Sequence, residues 1–157
     1  MWGNINFTTP DVVFGMNSVR RAGEKVKALN CARALILTGP SVKSSGALDE
    51  MLESFKNMSI DHEISVLKRS TAEPTTDLAE ETAKLIVDGN FDVIIGVGGG
   101  SILDVAKMSS ALTNNPGKTR DYFGPGKVKR RGRPTVMIPT TAGTGSEVTK
   151  HAIFLDE

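Results

Sequence analysis

At 157 residues the chain has room for one domain with a packed core and is too short for two ordinary ones. Its 19 basic and 18 acidic side chains leave a formal charge of +1, which gives no global pull toward nucleic acid or an anionic membrane. The single cysteine, Cys31, excludes an internal disulfide and fits a reducing, cytoplasmic setting. The opening MWGNINFTTP lacks the basic stretch and apolar run of a signal peptide, and no uncharged apolar run approaches the ~20 residues of a membrane span.

Before Asn17, two short apolar runs, Ile5–Phe7 and Val12–Phe14, flank Thr8-Thr9-Pro10 and predict an edge strand or hairpin. Val19, Ala22, Val26 and Leu29 predict an amphipathic helix over 18–29. Ala34–Leu37 reads as a short buried strand that stops in the turn Thr38-Gly39-Pro40. Leu48, Met51, Leu52, Phe55 and Met58 form the stripe of a second helix, and Ile64–Leu67 is a candidate strand. A helix over Thr76 to Val87 carries Leu78, Thr82, Leu85 and Ile86 on one face and stops at Asp88-Gly89-Asn90, with the glycine expected as its C-cap. Asp92–Val97 is a strongly apolar strand, followed by Gly98-Gly99-Gly100 and a helix from about Ile102 to Leu112. Thr135–Ile138 is a last clear buried strand, and Val148–Leu155 a candidate for one more. Strands alternating with helical patterns of this length predict βαβ units. The expected class is α/β: a Rossmann-like parallel sheet with helices on both faces, as one domain over 1–157.

The run FDVIIGVGGGSILDVAK carries the sharpest chemical signal. A buried strand runs into three residues without Cβ, and a helix begins directly after them. Backbone can therefore approach a ligand closely, and the helix dipole and free N–H groups favour an anion such as a dinucleotide pyrophosphate. The spacing lacks the last glycine of GxGxxG, so this is not the ordinary first turn of a Rossmann domain. Ser101 and Asp104 also have the S-x-x-D spacing of a capping box, a compatible second role. Gly117-Lys118-Thr119 resembles the end of a P-loop, but Leu112 stands where its first glycine belongs. The basic run KVKRRGR (Lys127 to Arg133) has no aromatic partners and lies between turn residues, so it reads as a solvated surface loop and not as a nucleic-acid patch.

PTTAGTGSEVT (Pro139 to Thr149) places four threonines, a serine and two glycines just past a strand's carboxyl end, the edge at which open α/β sheets bind ligands. Composition alone also allows an ordinary polar loop. Together with GGGSILDVAK, this loop closely resembles the iron-containing (group III) alcohol dehydrogenase family. Phe14-Gly15, Ala34–Thr38, Ala72-Glu73-Pro74-Thr75, Asp92–Lys107 and Pro139–Thr149 fall in that family's order and at about its spacing. The likeness extends more weakly to glycerol dehydrogenases and dehydroquinate synthases. The resemblance implies that Gly98, Gly99, Gly100 and Ser101 hold the pyrophosphate and that Asp104 sits near the nicotinamide end. It also implies that Thr140, Thr141, Thr144 and Thr149 line the adenosine and phosphate path, with Thr75 near the adenine pocket.

Two departures from the family bear on the cofactor. Members that prefer NAD often carry an aspartate just after the second core strand, where this chain has Gly39. Without that carboxylate a 2′-phosphate is not repelled, and Ser41 and Lys43 can supply a hydroxyl and a cation, so NADP is expected over NAD. The family's Asn before Pro-Thr is Glu73 here, which puts that contact in doubt.

The resemblance further implies hydride transfer between a small alcohol and its aldehyde or ketone, with Fe2+ or Zn2+ polarising the substrate oxygen as a Lewis acid. The family holds that metal with one aspartate and three histidines from the part of the chain that follows. This chain has only His62, expected at the surface, and His151, positioned to face a cleft. It is therefore expected to be the cofactor-binding part of a longer, homo-oligomeric enzyme, with no metal ligands and no catalytic residues of its own. Two alternatives remain open: a glycerol- or glycerol-phosphate-type dehydrogenase of the same fold, and a nucleotide-binding module without catalysis.

Overall fold

The computed structural model describes residues 10–68 and 73–156. After a 3-10 turn at Ser18–Arg21, the elements are α1 (Ala22–Ala28), β1 (Arg33–Thr38), α2 (Pro40–Ser44), α3 (Asp49–Asn57), β2 (Asp61–Val66), α4 (Thr76–Asp88), β3 (Val93–Gly98) and α5 (Gly100–Leu112). A second 3-10 turn at Thr119–Tyr122 and a long connection lead to β4 (Thr135–Pro139).

Helices α1, α3 and α4 hand over to β1, β2 and β3 by the same device. Each ends on a left-handed residue that is not glycine: Asn30 (φ 57), Ser59 (φ 50) and Asn90 (φ 52). The next residue is buried, and its amide donates back into the last turn: Cys31 to Val26 O (3.3 Å), Ile60 to Phe55 O (3.0 Å), Phe91 to Ile86 O (3.1 Å). These are Schellman endings with their apolar contact in place. Gly89 is the C-cap of α4, as expected, but not in the left-handed conformation that glycine usually supplies at a helix end. Gly89 keeps φ −81, and the left-handed turn falls to Asn90. Gly89 lacks a side chain because the Phe91 ring packs against it, where a Cβ would come within 2.2 Å of Cε2.

All pairings are parallel, in the order β2-β1-β3-β4. Ala34 and Ile36 of β1 and Val93, Ile95 and Val97 of β3 point to one face, against Val26, Met51 and Phe55. Leu35, Leu37 and Ile94 point to the other, under Ile86 of α4 and Ile102 and Val105 of α5. Central strands covered on both faces need apolar residues at every position, and each large side chain sealed there contributes about 1.5–3 kcal/mol. No helix among the described residues is long and apolar enough to cross a membrane.

Two expectations fail. The run Ile5–Phe7 lies outside the described residues, and Val12–Phe14 forms no strand: Val12 and Phe14 are 58% and 99% exposed. Val148–Leu155 is not a strand either. Among the described residues its ladder contact is a single bridge, Leu155 to Thr75. Side chains of α5 hold two of its backbone groups instead: Lys107 Nζ donates to the His151 carbonyl, as it does to that of Ser146 just upstream (3.0 Å), and Asp104 Oδ2 accepts from the Ile153 amide (3.1 Å).

The P-loop look-alike serves the fold. Glu80 of α4 accepts from the buried Thr119 amide (2.9 Å) and from Lys118 Nζ (2.9 Å), while Thr119 Oγ1 donates to Thr76 O (3.1 Å). Burial pushes the Glu80 carboxyl up, but the Lys118 ammonium and the Thr119 donors outweigh it and hold its pKa below the usual value. A carboxylate depressed in the folded state stabilises above its unfolded pKa and stops doing so as the pH falls through the folded one. Replacing Glu80 with alanine should cost about 1–3 kcal/mol at neutral pH, because a buried amide loses its acceptor. In urea unfolding, the gap between wild type and variant should narrow as the pH drops below the carboxylate range, because the protonated carboxyl loses its pairing with Lys118 but can still accept from the amide.

Candidate functional site

From β1 the chain turns to β2 on one side of the sheet, and from β3 it moves to β4 on the other. The boundary between β1 and β3 is thus a topological switch point, and a crevice opens beyond the strands' carboxyl ends there. Buried Thr38 closes its floor: Oγ1 donates across the strands to Val97 O at 2.9 Å. Both chains then leave without side chains, β1 into Gly39 and β3 into Gly99, the N-caps of α2 and α5.

The crevice measures about 620 Å³ and is lined by Gly39, Ser41, Gly98, Gly99, Thr140 and Thr141, among others. Six residues nominated from three separate stretches of sequence therefore meet at one place. Thr140 is held in register beside the glycine turn, its amide donating to Gly98 O at 2.9 Å. The glycines differ in what they make room for. A Cβ on Gly98 would stand 2.8 Å from Ile102 Cγ1, so that glycine lets α5 fold back on its own strand. A Cβ on Gly99 would come within 3.2 Å of Thr141 Oγ1, in the narrow gap between turn and loop. Gly100 starts α5 opposite Thr144, at 3.5 Å by the same measure.

The other nominated residues lie elsewhere. Lys43 is exposed on α2 and does not line the crevice; among the described residues the cation that does is Lys68, just past β2, which the sequence reading missed. Thr75 is the N-cap of α4, its Oγ1 accepting from the Leu78 amide at 3.4 Å. Thr149 lines a separate cavity of about 730 Å³ beside β4, with His151. Thr144 is exposed, and its Oγ1 accepts from the Ser146 amide at 3.4 Å. The capping box does not form. Helix α5 starts at Gly100, which makes Ser101 its second residue rather than its cap. Asp104 is buried and turned toward the threonine loop, accepting from Ser146 Oγ at 2.6 Å.

A dinucleotide suits this arrangement. The volume is within the ~300–1,000 Å³ of small-molecule sites, the backbone is bare at the turn, and α5, at 13 residues, points its N-terminus there. A metal does not fit these residues. Among the described residues no three His, Cys, Asp or Glu side chains converge. Half-buried His62 stands edge-on to Phe55 with ring centroids 5.8 Å apart, and exposed His151 lies at the other cavity.

The family model for iron-containing alcohol dehydrogenases matches residues 9–157. The chain is 35% identical over 155 residues to a choline dehydrogenase of Bacillus subtilis (strain 168), spanning 96% of this chain and 38% of that one. It is 31% identical over 150 residues to an NAD-dependent methanol dehydrogenase of Bacillus methanolicus, spanning 96% and 39%. The crystal structure of an iron-containing alcohol dehydrogenase from Thermotoga maritima superposes with a TM-score of 0.84 at 35% identity, over 96% of this chain and 42% of that one. The chain thus spans about two fifths of the length of the relatives it matches.

The clasp beneath the crevice is testable without any ligand. Thr38→Val keeps the shape and removes the donor to Val97 O, so it should cost about 1 kcal/mol. Chemical denaturation should show it as a lowered midpoint with an unchanged slope.

Proposed function

The chain belongs to the iron-containing alcohol dehydrogenase family, and from that membership we propose that its crevice binds a nicotinamide dinucleotide, NADP in preference to NAD, for hydride transfer between a small alcohol and its aldehyde or ketone. The observation that carries this reading is the meeting of Gly39, Ser41, the Gly98-Gly99 turn and Thr140-Thr141 in one crevice at the switch point. The pyrophosphate would lie against Gly99 and Gly100, where the amides opening α5 and its dipole favour negative charge. Hydroxyls of Thr140 and Thr141 would donate to phosphate and ribose oxygens. When bound, the dinucleotide supplies the carbon that gives or takes the hydride. The residues described here bind it, orient it and form one wall of the cleft.

Cofactor choice turns on the end of β1. Gly39 has φ −95 and ψ 163, a conformation any residue adopts, and a Cβ there would meet nothing within 4 Å. The position faces open space in the crevice, uncharged, with Ser41 and Lys68 on the same lining. A 2′-phosphate would meet a hydroxyl and a cation there and no carboxylate. Lys68 takes the part first given to Lys43.

Two measurements test the proposal. Calorimetric titration of the 157-residue chain should show NADPH binding, and Gly99→Val should weaken it by about a hundredfold, ~2.7 kcal/mol, with the circular dichroism spectrum kept. Unchanged affinity in a folded variant would remove the phosphate cradle. Gly39→Asp should move the NADPH-to-NADH affinity ratio toward NADH by about tenfold, ~1.4 kcal/mol. Because the backbone at Gly39 is unstrained, that shift should come without loss of stability. A wild type that binds NADH at least as tightly as NADPH would contradict the reading of Gly39, Ser41 and Lys68.

A further inference from the structure

We propose that Asp104 and Lys107 form a latch that fixes residues 140–153 against α5, which makes Asp104 a positioning residue for the threonine loop and not a contact of the cofactor. The inference rests on the reading of the crevice as a dinucleotide site. Both residues lie on α5, three positions apart, with side chains 11% and 15% exposed and their charges 2.9 Å from each other. Charges this well covered are costly unless every donor and acceptor finds a partner. Here the partners come from the loop.

Asp104 Oδ1 accepts from Ser146 Oγ at 2.6 Å, the short separation of a charge-assisted bond, and Oδ2 accepts from the Ile153 amide at 3.1 Å. Lys107 Nζ donates to Ser146 O at 3.0 Å and to His151 O, and its charge stands 2.9 Å from Asp104 Oδ1. Of the ammonium's three protons, two go to loop carbonyls, and its charge is paired with Asp104, so Lys107 is committed to the loop. Both Asp104 oxygens are likewise engaged on the loop side. The connection reaches the crevice through one short step. Ser146 donates its amide to Thr144 Oγ1, and Thr144 sits over Gly100, the first residue of α5. The helix whose N-terminus is offered to the ligand thus also sets the height of the loop that closes over it.

The test separates holding the loop from touching the ligand. In the free protein, Asp104→Asn and Ser146→Ala should each speed amide hydrogen exchange across 140–153 by about tenfold or more while the amides of β1 and β3 keep their rates. Each should weaken NADPH by about fivefold, and the double variant should bind no worse than Asp104→Asn alone, since both cut the same link. If Asp104→Asn fails to fold, Ser146→Ala carries the same two readouts with a single hydroxyl removed. Two results overturn the proposal: weakened NADPH binding with exchange of 140–153 unchanged, or penalties that multiply in the double variant. A wild type that binds no NADPH, with the segment still released by Asp104→Asn, would keep the latch and overturn the dinucleotide reading instead.

Discussion

Helix α5 lies on β3 with no room for a side chain between them. A Cβ at Gly96 would stand 3.1 Å from Ala106 Cβ and Leu103 Cδ2, and one at Gly98 would meet Ile102 at 2.8 Å. In a close-packed interior such a fit leaves the helix one position and one direction. Its N-terminus must open where β3 ends, at the switch point, and its next two turns must carry Asp104 and Lys107 under the threonine loop. Its far end is fixed as well. Ser110 Oγ donates to Arg133 O, and Asn115 Oδ1 accepts from the amides of Lys129 and Arg130 while its Nδ2 donates to Arg130 O. The basic connection is thereby held by its backbone, with Lys129, Arg130, Arg131 and Arg133 exposed to solvent.

The two ends of the sheet divide the work. At the amino ends, Asp92 accepts from the amides of Ala32 and Arg33 at 2.9 and 3.0 Å. Arg33 reaches on to Asp61, Glu63 and Gly89 O, with its guanidinium 4.9 Å above the Phe91 ring. Charges there are paired, and the rings are packed. At the carboxyl ends glycine, serine and threonine predominate, and the buried Thr38 to Val97 bond lies beneath the crevice and not in it. The paired charges and packed rings sit away from the crevice, which leaves its rim free to stay polar and open.

The apolar strands and the glycine turn were legible in the sequence because burial on both faces and the absence of Cβ are written one residue at a time. What was not legible depends on which partner a group takes. Val148–Leu155 has the composition of a strand, but its Ile153 amide and His151 carbonyl are taken by Asp104 and Lys107, and composition does not say so. Ser101 and Asp104 have the spacing of a capping box whether the helix begins before or after the serine. A start at Gly100 turns the aspartate from cap to anchor. Lys43 and Lys68 were equal as cations along the chain; only the strand order puts the end of β2 beside the end of β1.

The crevice therefore has two walls of different character. The glycine turn is part of the core: Gly98 is buried and hydrogen-bonded to Thr140, and the residues after it are the first turn of a helix packed along its length. A ligand meeting this wall finds donors already oriented, so little ordering is needed there. The threonine wall is exposed from Thr140 to Thr144 and turns on Gly143 (φ 89) and Gly145 (φ 66), conformations that suit a loop made of small residues. Between its start beside Gly98 and its anchor at Ser146 it spans few residues, so it can adjust to a bound molecule without coming away from the sheet. A rigid cradle facing a tethered, adaptable strap suits a long, jointed ligand whose charged middle must be held in one place while its two ends find their own.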